Sequence, residues 1–252
     1  MEIKKHIIQA LIIFAVPSMA HAQIGEHRDD LSIGVNAGYN LSNIRFVPKI
    51  SQNSKGGLQG GLVVRYTCEK YFNTICAIQA EINYAQLGWK EKILNLNDEP
   101  VMTLAGNEQE SYERTINYVQ IPLLAHLAWG REYKGVNFFV NAGPQFGFML
   151  SESEKTNFTP STANTADRVS TTMAQDTMAV ENKFDYGITA GLGLEFAINH
   201  IGRIQLEARY YYGLGNIYGD SKRDFFGASN HSVITIRGAY LFDLFTSRKK
   251  NK

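Results

Sequence analysis

Residues Arg203–Asp220 read RIQLEARYYYGLGNIYGD. Arg203, Gln205, Glu207, Arg209 and Tyr211 fall on one side of this stretch, and Ile204, Leu206, Ala208, Tyr210 and Tyr212 on the other. Alternation with a period of two marks a β-strand with two chemically different faces. In a soluble sheet the apolar row would be buried and Glu207 with its arginines would meet water. In a membrane barrel lipid takes the apolar row and the charges point into the lumen. The direction of these two rows therefore decides the fold.

Working outward, eight segments alternate in this way: Leu31–Leu41, Leu58–Cys68, Cys76–Gly88, Thr115–Trp129, Val136–Leu150, Lys183–Ala197, Arg203–Gly213 and Ser232–Phe242. Most exceed the ~5–6 residues of soluble strands and reach the ~9–11 that cross a bilayer at a tilt. Their connections alternate too. Those near 42–57, 89–114, 151–182 and 214–231 are long and polar, whereas the others are short, as in INHIG. Short periplasmic turns alternating with long external loops are the signature of an up-and-down outer-membrane barrel.

A soluble eight-stranded ligand carrier would turn the apolar rows inward instead. The opposite rows then become the test. Ser32-Gly34-Asn36-Gly38 and Asp185-Gly187-Thr189-Gly191-Gly193-Glu195 are rich in glycine. Such rows make poor solvent-facing surfaces but fit a narrow, crowded lumen. The chain has 22 glycines, 13 tyrosines, 14 phenylalanines and only 6 prolines, which suits a tightly twisted all-β barrel with aromatics at an interface. The expected fold is an all-β, eight-stranded antiparallel up-and-down transmembrane β-barrel of outer-membrane type over residues 31–243.

The chain opens MEIKKHIIQALIIFAVPSMAHAQ: two lysines, an apolar run from Ile7 to Val16, then Ala20-His21-Ala22. That layout predicts a secretory signal peptide over residues 1–22, cleaved after Ala22, rather than a membrane anchor, for which the run is too short. Residues 23–30 read as a short periplasmic leader and 244–252 as a basic C-terminal tail. A formal net charge of +1 points to no nucleic-acid partner. The expected location is the cell outer membrane, in contact with its lipid.

With the charged rows inward, the lumen holds Arg65, Glu81, Glu195, Arg203, Glu207, Arg209 and Arg237. A hairpin centred near residue 222 sets Glu207 opposite Arg237. Hairpins centred near 72 and 199 bring Arg65 one diagonal step from Glu81, and Glu195 beside Arg203. Buried charges persist only when paired and hydrogen-bonded, so these residues read as a structural ion-pair network. A charged pore is the functional alternative. Eight strands leave an interior that side chains fill, so no bulk conductance is expected.

Cys68 and Cys76 are equidistant from the same hairpin centre, and in an oxidising compartment a disulfide across that turn is expected, with free thiols as the alternative. Catalysis is not expected. His27 and His200 sit in polar connections and His126 lies low on an inward row. His231 precedes Ser232, and adjacent strand residues point to opposite faces. A nucleophile needs its base within hydrogen-bond reach. The acidic loop segments NLNDEP and SESEK lack calcium-ligand spacing, so neither metal nor cofactor is expected. The connection over 151–182, rich in Ser, Thr, Ala and Asn with Phe158 as its lone aromatic, has a composition that suggests mobility.

The run YVQIPLLAHLAW at Tyr118–Trp129, then NFFVNAGPQFGFML, GITAGLGLEF and LEARYYYGLGNIYGD, resembles the PorT-like outer-membrane β-barrel proteins of the Bacteroidetes group. The shared positions are Ile121–Leu124, Ala142–Pro144, Gly191–Glu195, Glu207–Tyr210 and Gly213–Ile217. The resemblance implies a barrel with a structural or accessory role and a protein partner in a secretion or envelope complex, type IX secretion being the role of one member group. The alternatives are a surface binding or adhesion barrel and a narrow solute pore.

Overall fold

The structure, a computed structural model, describes residues 25–246 except 105, 107, 132–133, 160, 171–172, 199–201 and 220–224. The expected signal peptide, its cleavage after Ala22, His200 and residues 247–252 lie outside the described residues.

The strands are β1 (Glu26–Val47), β2 (Gln52–Asn53), β3 (Lys55–Tyr71), β4 (Thr74–Glu91), β5 (Tyr112–Trp129), β6 (Gly135–Thr156), β7 (Phe184–Ile198), β8 (Gly202–Asn216) and β9 (Ala228–Phe245), with one helical turn, α1 (Ala174–Thr177). All pairings are antiparallel. The order β4-β3-β1-β9-β8-β7-β6-β5 is completed by pairing of β5 with β4, so the eight long strands form a closed ring. The two-residue β2 adds a short rung to the end of β4. Among the described residues no helix is long and apolar enough to cross a membrane.

Side-chain direction answers the question posed by β8. Ile204, Leu206, Tyr210 and Tyr212 are exposed on the outside, while Arg203, Gln205, Glu207 and Arg209 are buried in the bore. In β9, Ile236 is 64% exposed and its neighbour Arg237 2%. The apolar rows thus face outward around the ring, which overturns the soluble-carrier alternative, because exposed Leu and Ile belong against lipid. Aromatics edge this band. Tyr66, Trp129, Phe138, Tyr240 and Phe242 lie toward the short turns, and Tyr39, Tyr84, Phe148, Phe184, Tyr186, Tyr210 and Tyr212 toward the long connections.

The strands run further than the apolar alternation does. β6 continues to Thr156 and pairs with Tyr112, carrying Ser151, Ser153 and Lys155 outward past a bulge at Leu150. The end of an apolar row marks where lipid ends, not where hydrogen bonding ends. The expected leader is corrected in the same way, because Glu26 and His27 pair with Lys70 and Glu69 of β3. The expected tail starts inside β9, where Phe245 stands opposite Leu31.

Beyond the aromatic edge, the long connections do not splay. Phe46, Trp89, Tyr112, Tyr218 and Phe226 are buried together with Ile50, Ile93, Val101, Phe158 and Val180. Phe46 packs edge-on to Trp89 at 5.4 Å and Phe226 lies 4.8 Å from Phe46. The result is a folded cap with its own apolar core over one mouth of the ring.

Candidate functional site

Inside the ring, period-two alternation brings polar residues from every long strand to one axis. Glu81 of β4 accepts from Arg209 of β8 at 3.0 Å through each carboxylate oxygen, and Arg237 of β9 approaches it at 2.5 Å. Arg209 also donates to both oxygens of Glu207 at 3.0 Å, and Arg237 Nε lies 3.1 Å from Glu207 Oε2. Two carboxylates and two guanidiniums form a neutral quartet. A second pair lies nearer the short turns: Arg65 of β3 donates to Glu195 of β7 at 2.6 Å.

Amides join the two groups. Gln79 Oε1 accepts from Arg65 Nε at 3.1 Å while its Nε2 donates to Glu81 at 2.6 Å. Gln205 donates to Glu195, Asn83 to Glu81 and Asn141 to Glu207. Burial of ions is tolerable here because both oxygens of Glu81 and of Glu207 accept hydrogen bonds, while among the described residues Arg237 Nη2 and Gln205 Oε1 have no hydrogen-bond partner. Glycines make the room: a Cβ on Gly191 would lie 2.4 Å from Glu207 Oε1, and one on Gly38 2.8 Å from Arg237 Cβ.

The hairpin register sets Glu207 opposite Arg237. Arg65 and Glu81 stand one diagonal step apart as the hairpin centre predicts, but their ion pairs cross the bore: Arg65 faces Gln79 and reaches Glu195, while Glu81 is taken by Arg209 and Arg237. Arg203 lies 3.7 Å from Asp243 at the edge of the bore rather than beside Glu195. A hairpin argument sees only neighbouring strands, whereas an extended guanidinium crosses a narrow bore.

Cys68 and Cys76 are free, which corrects the expected disulfide. A bulge between Thr67 and Glu69 leaves Cys68 out of register and sets Glu69 opposite Cys76.

Among the described residues, no histidine meets a serine or cysteine nucleophile. His126 Nδ1 lies 2.7 Å from Asn141 Oδ1, and His231 Nε2 lies 3.1 Å from the Tyr118 hydroxyl. Ser232 points the other way, its Oγ 3.0 Å from the Tyr210 hydroxyl on the outer face. His27, exposed, lies 3.1 Å from Asp29. Among the described residues no cluster of His, Cys, Asp or Glu could hold a metal ion.

Sequence reading missed what fixes the cap. Arg114 is fully buried; its Nη1 donates to the Met178 carbonyl at 2.6 Å and to the Tyr218 hydroxyl at 3.0 Å, and its Nη2 pairs with Glu154. Arg168 pairs with Glu110 at 2.8 Å, and Gln175 of α1 donates to Glu91 at 3.1 Å. The connection that its composition marks as mobile is therefore tied down by buried polar side chains. Asp176, beside Glu91 and 3.6 Å from Arg168, has its carboxyl pushed up to about 8 by burial and by the Glu91 charge.

No curated protein sequence matches this one. Among solved structures the chain is similar to the outer membrane protein OprG from Pseudomonas aeruginosa, with 15% identity, a TM-score of 0.43, and 86% of this chain and 98% of that chain covered. It is also similar to Ail of Yersinia pestis, with 13% identity, a TM-score of 0.37 and coverages of 85% and 99%. For Neisserial surface protein A the identity is 9%, the TM-score 0.40 and the coverages 87% and 98%. The profile of the outer membrane protein beta-barrel domain matches residues 21–219, and the chain belongs to that family of outer-membrane barrels.

Proposed function

We propose that this outer-membrane barrel is a non-catalytic, non-conducting structural or accessory protein whose cap, on the outside of the cell, docks a partner protein. One observation carries the reading: the bore is bridged by Arg209–Glu81 and Arg65–Glu195 and closed at one mouth by the cap core. Ions bound this closely across a bore occupy the path a solute would take. Support for docking comes from the cap's outer surface, where Leu96 is 90% exposed and Leu104, Val169 and Phe225 are also exposed. Exposed apolar side chains mark an interaction site where they form one contiguous patch.

The PorT-like resemblance extends this reading to an accessory role in type IX protein secretion. The test is capture from crosslinked outer membranes. A reproducible stoichiometric partner is expected, lost when Leu96 and Val169 are changed to Ser. Recovery of no partner, together with stable nanosiemens openings of purified protein in planar bilayers, would favour the solute pore instead.

A further inference from the structure

On the outer face of the ring, above the upper aromatic edge, Lys90 of β4, Glu113 of β5 and Lys155 of β6 stand side by side in register. Lys55 joins them: its ammonium lies 2.7 Å from Glu113 Oε1. The Lys55 side chain reaches there over Gly88, where a Cβ would lie 3.1 Å from Lys55 Cδ. Three ammonium groups thus surround one carboxylate. Because Lys55 is committed to Glu113, Lys90 and Lys155 supply the excess positive charge. Both are exposed, and among the described residues neither ammonium hydrogen-bonds within the chain. The two carboxylates on this stretch of β6, Glu152 and Glu154, both lie against Arg114.

The two lysines line a trough of about 280 Å³ with Glu113, Ser111, Tyr112, Thr156 and Asn157. The volume suits a phosphate group and part of the sugar that bears it. Its height suits them too. Tyr84, in the upper aromatic edge, donates to Asn117, and Glu113 lies further along the same strand by four residues, ~10 Å above the edge for a tilted strand. Glu113, on the wall of the trough, belongs to the same outward row of β5 as Val119 and Leu123 of the lipid-facing band.

We propose that Lys90 and Lys155 bind a phosphate of a phosphorylated glycolipid in the outer leaflet, whose acyl chains lie against the β5 face below. The inference rests on the outer-membrane reading with the long connections outside. Glu113 sets the affinity by holding Lys55 and offsetting part of the charge.

The full-length mature barrel, reconstituted in phosphatidylcholine vesicles with and without lipopolysaccharide, tests this by native mass spectrometry of retained lipid. At about 1 kcal/mol for each surface lysine, Lys90→Gln with Lys155→Gln is expected to weaken retention about 30-fold. Glu113→Gln is expected to strengthen it, and dephosphorylated lipopolysaccharide to be held equally by all variants. Equal retention of phosphorylated lipid by wild type and the double variant would overturn the site. Failure of the wild type to float with vesicles would instead sink the outer-membrane reading, which separates the two outcomes.

Discussion

Glu81 and Arg209 stand on strands at opposite points of an eight-membered ring, β4 and β8, and meet through two 3.0 Å hydrogen bonds across the bore. Arg65 and Glu195, on β3 and β7, repeat the relationship. Removing one member leaves an uncompensated buried charge, whereas removing both leaves a cavity without one. Glu81→Gln is therefore expected to cost about 3–5 kcal/mol, because it leaves Arg209 and Arg237 to share the single carboxylate of Glu207. Glu81→Met combined with Arg209→Met should cost less. The urea midpoint of heat-modifiable gel migration measures both, and an E81Q midpoint equal to wild type would refute the account.

The free thiols give a second test. With Cys68 displaced by the bulge and Glu69 opposite Cys76, a thiol-alkylating mass tag should label both residues of the unreduced, denatured protein. Labelling that needs prior reduction would show a disulfide and a different register at this turn.

Asp176 predicts a pH dependence of the cap. Its folded-state pKa of about 8 lies above the ordinary ~3.9, so the folded cap binds the proton more tightly than the unfolded chain does. Stability of the α1 contact therefore falls as pH rises from about 4 to about 8 and is level above that. Hydrogen exchange at Met178, whose amide bonds to the Ala174 carbonyl, should quicken across this window. Asp176→Asn should abolish that component after correction for the intrinsic rate.

Gly193 tests the tightness of the bore. A Cβ there would lie 2.2 Å from the Leu206 carbonyl and 2.6 Å from the Phe139 ring. Gly193→Ala should destabilise the barrel by about 1–3 kcal/mol through overpacking, read by the same urea midpoint. An unchanged midpoint would show that β7 and β8 can separate there at no cost.

The parts legible in the sequence are those governed by strand parity. The inward placement of Glu207 and Arg237 needs only the exact period of two, and their opposition needs only a hairpin centre. The partners of Glu81 and Arg65 were not legible, because Arg209, Glu195 and Arg237 lie 128 to 156 residues away in β8, β7 and β9 and depend on bore diameter rather than on any local pattern. The bulge at Cys68 hid the register of a turn that otherwise looks symmetric. The cap core was hidden for another reason: Phe46, Trp89 and the pair Tyr218 and Phe226 stand far apart in the sequence and form a cluster only once the ring brings their strand ends together. Arg168 and Gln175 look like solvated loop residues and are buried anchors.

The cross-bore bridges also constrain how the molecule can be assembled. Glu81 and Arg65 belong to the first four long strands, whereas Arg209, Arg237 and Glu195 belong to the last four. Each half sums to zero charge, but the bridges of Glu81, Arg65 and Glu195 cross between the halves, and a half-built sheet would present these side chains to hydrocarbon without the partners that bind them here. Formation of the cross-bore bridges and ring closure are the same event, so insertion into the bilayer favours the whole ring over its fragments.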